Sequence, residues 1–167
     1  MKKAFSFILA LVMIANLAIP CAAEEITEDD WTGHNVSTVN PFELYYQAIA
    51  RGTSYPTVSH NCNSEGPLSF SGSASYSMLW LNKVLCGCGG YYIYVKNNSS
   101  SPLHYIVRGS SIGDRAMTVS PYSNSTADNN GHTLYFPMSS NQDLFCISFD
   151  APSNFSGSVW CGCSFGG

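Results

Sequence analysis

Between residues 57 and 161 the sequence breaks into nine short runs rich in Tyr, Phe, Val and Ile. They fall at 57–60, 68–71, 75–81, 91–97, 103–109, 116–120, 132–136, 144–149 and 156–161. The residues between them are mostly Gly, Pro, Asn and Ser, each of which favours turns. No helical periodicity interrupts the series, which rules against a parallel sheet, because parallel neighbours need long crossovers. The fold class expected is all-β: a single antiparallel β-sandwich, jelly-roll or Ig-like, of eight or nine strands. Asn97-Asn98-Ser99-Ser100-Ser101-Pro102 separates two strong runs and reads as a hairpin loop. The polar, Asn-rich stretch 121–131 reads as a long surface loop.

One short helix precedes the strands, expected at 41–51. Asn40 is placed to cap it, Pro41 suits the first helical position, and Glu43 completes an Asn-x-x-Glu capping box. Phe42, Tyr45, Tyr46 and Ile49 recur at helical spacing, and Gly52 ends the pattern. Such a helix cannot form a core alone and is expected to pack on the strands.

The N-terminus sets the compartment. Lys2 and Lys3 precede an apolar run at 4–19, and Cys21-Ala22-Ala23 leads into an acidic start, the pattern of a secretory signal peptide cleaved after Ala23. The run falls short of the ~20 apolar residues of a membrane span and Asn16 interrupts it. Pro20 before Cys21, where lipidation wants a small residue, argues against a lipoprotein. The organisation expected is therefore a signal peptide at 1–23, an acidic lead-in at 24–38 and the sandwich domain at 39–167. The two lysines and compact apolar core have a bacterial style.

Removal of 1–23 leaves 144 residues, the size of one domain with a substantial core. Five Lys and Arg then face eleven Asp and Glu, a net charge of −6, and five of the acids sit at 24–30. There is no basic patch, which excludes nucleic acid and anionic membrane as electrostatic partners. No stable membrane anchor is expected after cleavage.

Six cysteines remain: Cys62, Cys86, Cys88, Cys146, Cys161 and Cys163. An even count in an exported chain indicates disulfides. Cys86-Gly87-Cys88 and Cys161-Gly162-Cys163 each place two sulfurs on one face if the strands are extended. Antiparallel neighbours would join Cys86 to Cys163 and Cys88 to Cys161, leaving Cys62 with Cys146. Parallel neighbours would join Cys86 to Cys161 and Cys88 to Cys163. A four-cysteine zinc site usually has wider ligand spacing, and a redox pair needs an exposed low-pKa thiol. Disulfides are the favoured reading, and no metal or other cofactor is expected.

Catalytic signals are poor. Gly109-Ser110-Ser111-Ile112-Gly113, with Asp128 and His132 after it, matches a nucleophile-elbow pattern, but a strand rather than a helix follows. His34, His60, His104 and His132 show no ligand spacing, and Asp114, Asp128, Asp143 and Asp150 fall in turns. No catalytic residue is assigned. The aromatic residues are more informative. Alternation along 91–97 puts Tyr91, Ile93 and Val95 on one face and Tyr92, Tyr94 and Lys96 on the other. Tyr92, Tyr94 and Tyr105 are the binding candidates, because exposed flat rings stack sugars with little entropy loss. Sequons occur at Asn35, Asn97, Asn98, Asn124 and Asn154.

The functional expectation is a secreted binding protein that contacts a glycan or a protein surface. One alternative is a small secreted hydrolase using Ser111 or the aspartates. Another is a membrane-acting β-toxin that re-forms 109–131 as a hairpin, although that span lacks the sustained alternation of a membrane strand.

Overall fold

A computed structural model describes residues 30–54, 56–109, 113–120, 131–140 and 143–163. Twelve strands form: β1 Trp31–His34, β2 Val36–Ser37, β3 Ser59–Asn61, β4 Leu68–Ala74, β5 Leu79–Leu81, β6 Val84–Cys86, β7 Gly90–Asn97, β8 Leu103–Gly109, β9 Gly113–Val119, β10 Gly131–Pro137, β11 Phe145–Phe149 and β12 Ser153–Cys163, with buried and outward side chains alternating most clearly along β4, β7 and β8. They form two sheets, as the sequence predicts for a sandwich. The first is five-stranded in the order β1-β4-β12-β7-β10 and antiparallel throughout. In the second, β11 is central. Along one edge it pairs β8, which pairs β9; along the other it meets β5 and β6, flanked by β2 and β3. The β3–β6 pair is parallel, the one departure from antiparallel pairing among the described residues.

The core lies between the sheets and is aromatic. Phe70 of β4 and Phe155 of β12 meet Phe149 of β11 across the sandwich. At the other end Tyr91 packs edge-on to Phe145 at 4.6 Å. Burying this surface, at ~25 cal/mol per Å² of apolar area, is the main force that holds the sheets together.

Several local expectations need correction. The 97–102 loop does not close a hairpin, because β7 belongs to the first sheet and β8 to the second. Loop composition marks where a chain turns, not where it goes next. The lead-in at 24–38 contributes β1 and β2, which pair with β4 and β5 and so tie one segment to both sheets. The helix α1, Pro41–Ala50, is capped by Asn40, whose Oδ1 accepts the Phe42 N–H at 3.0 Å. It packs on the strands as expected, against β6, but only lightly: Pro41 is its buried residue, while Leu44, Tyr46 and Ile49 are exposed. A second, single-turn helix, α2 at Cys62–Glu65, follows β3 and is capped by Asn61.

Asp30 anchors the entering chain. Its carboxylate accepts the N–H groups of Tyr76 and Ser77 at 2.9 and 2.7 Å and the Ser77 hydroxyl at 2.7 Å. The Ser77 hydroxyl bond is the largest cause holding the Asp30 pKa below its usual value, with the two backbone bonds adding to it. A carboxyl whose folded pKa is depressed adds stability above its unfolded pKa and loses it as pH falls through the folded one. Urea melts from pH 6 to pH 2 should therefore show an acid-side loss of stability that is smaller in Asp30→Asn. Identical acid limbs would remove the turn from this role.

Candidate functional site

Strand parity creates one unusual surface, the outer face of the first sheet. On β7 the inward residues Tyr91, Ile93 and Val95 are buried, so Tyr92, Tyr94 and Lys96 point out. On β12 the buried residues Phe155 and Val159 leave Asn154, Ser156, Ser158 and Trp160 outside. Register then assembles rows: Tyr135, Tyr92 and Trp160 are cross-strand partners in the first. Thr133, Tyr94 and Ser158 form the next, with Ser69 beyond.

The rings of the first row form one aromatic surface. Tyr92 lies 5.6 Å from Trp160 with planes 23° apart, and 5.1 Å from Tyr135. Tyr92 is 37% and Tyr135 42% exposed. Glycines make this packing possible: a Cβ on Gly162 would meet the Tyr135 and Tyr92 rings at 3.0 Å. A Cβ on Gly90 would strike Tyr135, and one on Gly131 the Tyr94 ring. The rings occupy the space that these glycines leave without a side chain, and they present broad apolar faces to solvent.

The three tyrosine candidates therefore separate. Tyr92 and Tyr94 lie on the outer face. Tyr105 does not: with Leu103 and Val107 it points inward and is 0% exposed. Its hydroxyl lies 3.4 Å from His132 Nδ1, and burial raises its pKa to about 12. The proximity of Tyr105 to Tyr92 in sequence is misleading because β7 and β8 sit in different sheets. Tyr135 and Trp160 complete the surface, and only long-range pairing reveals them. Outward parity with Thr133 on one strand and with Ser156 and Ser158 on the other is the sequence signal that was available.

The cysteines also sort differently. Cys88 and Cys161 form a disulfide with Cα atoms 5.7 Å apart, one of the bridges expected for antiparallel neighbours. The double ladder fails because Gly87, at φ +87°, turns the chain between Cys86 and Cys88. Cys86 ends β6, where the parallel register sets Asn61 opposite it and Cys62 next along. Cys62, Cys86 and Cys146 are free thiols, which corrects their assignment to disulfides. Cys146 lies on β11 opposite Arg108, not beside Cys62. Burial raises the pKa of Cys62 and Cys146 to about 12, which suppresses thiolate chemistry at both. The Cys163 side chain lies outside the described residues.

The catalytic and metal alternatives gather less. Ser111 and Asp128 lie outside the described residues, as does much of the 109–131 span. Asp114 pairs with Arg108, and Asp143 accepts the N–H groups of Ser139 and Ser140. His60 bonds to Gly66 O and pairs with Glu65, while His104 bonds to Thr118. Among the described residues no three His, Cys, Asp or Glu side chains converge as metal ligands. Of the sequons, Asn97 is spoken for: it is 0% exposed and its amide donates to Ser101, Val119 and Ser120 carbonyls. Among the described residues no helix is long and apolar enough to cross a membrane.

No protein-family model matches the chain, and no curated protein sequence matches it. One solved structure is similar, a mutant of a family 29 carbohydrate-binding module studied for ligand recognition. It is 13% identical, covers 56% of this chain and 67% of its own, and superposes with a TM-score of 0.27. At that score the likeness carries no argument, and the sandwich assignment rests on the strand pairings themselves.

Proposed function

We propose that this chain is an exported glycan-binding protein whose contact surface is the Tyr135, Tyr92 and Trp160 row. The observation that carries the reading is a row of three rings on an outer sheet face, Tyr92 packed against both Tyr135 and Trp160, two of them more than one-third exposed. Sugar C–H faces stack on such rings, and the rings lose little conformational freedom on binding. The signal-peptide pattern at 1–23 and a disulfide between Cys88 and Cys161 agree with an oxidising, extracellular setting.

A glycan array followed by calorimetry on any sugar that binds tests the reading. Tyr92→Ala and Trp160→Ala should each weaken binding about tenfold, roughly 1.4 kcal/mol, with little change in thermal midpoint because both side chains reach the surface. Gly162→Ala should also weaken binding by displacing two rings. A wild-type protein that binds no array glycan, or ring variants that bind normally, would refute the proposal.

A further inference from the structure

Resting on the glycan reading, we infer that the site extends down the same face as a track for a linear, uncharged oligosaccharide. Below the aromatic row the face changes to hydroxyls and amides. Ser156, Lys96 and Ser71 lie in one register row, and Asn154 and Ser73 in the next, with Thr32 beyond Ser73 on β1. At that end the surface sinks into a groove of about 220 Å³ lined by Thr32, Ser71, Ser73, Asn98 and Asn154 among others.

One wall of the groove is fixed by the backbone: the Asn98 N–H donates to Asn154 O at 2.8 Å, and the Asn98 amide to Ser156 Oγ at 3.3 Å. Among the described residues the side chains of Thr32, Ser71, Ser73 and Asn154 make no hydrogen bond, so their polar atoms are available to a ligand. From Trp160 to Asn154 is six residues of extended strand, ~20 Å, which exceeds one sugar ring and suits a chain of several. The chemistry also points to an uncharged ligand. Lys96 is the single lysine or arginine in these rows, whereas polyanionic chains call for clustered Arg and Lys. Aromatic stacking at one end and hydroxyl and amide bonding along the rest is the complement of a flat, equatorially linked polyol.

The test is an amide NMR titration of the mature protein with β-1,4-linked glucose, mannose, xylose and N-acetylglucosamine oligomers, from disaccharide to hexasaccharide. Disaccharides should perturb the Tyr135, Tyr92 and Trp160 row alone. Hexasaccharides should extend the shifts to Thr32, Ser73 and Asn154 and bind about tenfold more tightly. Ser73→Trp, which fills the groove from an outward position, should remove that gain and leave disaccharide shifts unchanged. Asn154→Ala should weaken the hexasaccharide in the same direction without adding bulk. If hexasaccharides bind no tighter than disaccharides, or Ser73→Trp leaves their affinity intact, the track is refuted while the aromatic site stands. If Tyr92 and Trp160 shift with none of these sugars, and the array is also negative, the glycan reading itself fails.

Discussion

Replacing Cys88 and Cys161 together by serine is expected to cost about 4 kcal/mol of stability. The bridge spans a sequence separation of 73 residues, and a loop of that size loses about this much denatured-state entropy when closed. Against a typical total of ~5–15 kcal/mol, that is a large share. The location adds to the effect. Cys161 follows Trp160 on β12, and Cys88 lies in the link that leads into β7, so the bridge pins the ends of two of the three strands carrying the aromatic row. The Cys88 N–H also donates to the Tyr91 hydroxyl at 3.1 Å within the core. Urea denaturation with and without reductant checks the expectation. The wild type under reductant should fall to the midpoint of the double-serine protein, which reductant should leave unmoved. Equal midpoints for oxidised wild type and variant would mean the bridge holds nothing.

What could be read in the sequence was local. Alternation assigned the two faces of β7 correctly, because Tyr91, Ile93 and Val95 share a parity that a core must satisfy. It also had the means to assign Tyr105, which shares parity with Leu103 and Val107, yet neighbourhood in sequence suggested a hairpin with β7. What decides that question is which sheet each strand joins, and a polar loop carries no information about it. The aromatic row is non-local for the same reason: Tyr135 and Trp160 flank Tyr92 only because β10 and β12 pair with opposite edges of β7. The cysteine ladder failed on one residue. An extended Gly87 would set both sulfurs on one face, and it instead supplies a positive φ that ends the strand. β1 and β2 were missed because five acids before Trp31 gave that segment a solvated character, although its partners are set by Asp30 and the edges it covers.

Phe149→Ala should be the most damaging single change in the core, with about 3–5 kcal/mol lost. Its ring stacks on Phe155 with centroids 3.7 Å apart and planes 14° from parallel, and meets Phe70 at 5.6 Å and Tyr105 at 5.9 Å. Phe149 and Tyr105 are register partners in the second sheet, while Phe70 and Phe155 belong to the first. Truncation therefore removes contacts within one sheet and across both, leaving a cavity whose rigid aromatic walls collapse poorly. The thermal midpoint should fall by about 10 °C or more, with an unchanged urea m-value. A loss below about 1 kcal/mol would show that the sheets are held together elsewhere. The comparison with the ring variants is what separates scaffold from surface. Phe155 also borders the groove on the outer face, so the core beneath β12 supports the strand that carries Asn154, Ser156, Ser158 and Trp160. Phe149→Ala should thus lower stability steeply while sugar affinity, measured well below the melting range, stays near that of the wild type. Tyr92→Ala should do the reverse. If both variants lost stability and affinity in proportion, the aromatic row would be part of the structural core and not a separate contact surface.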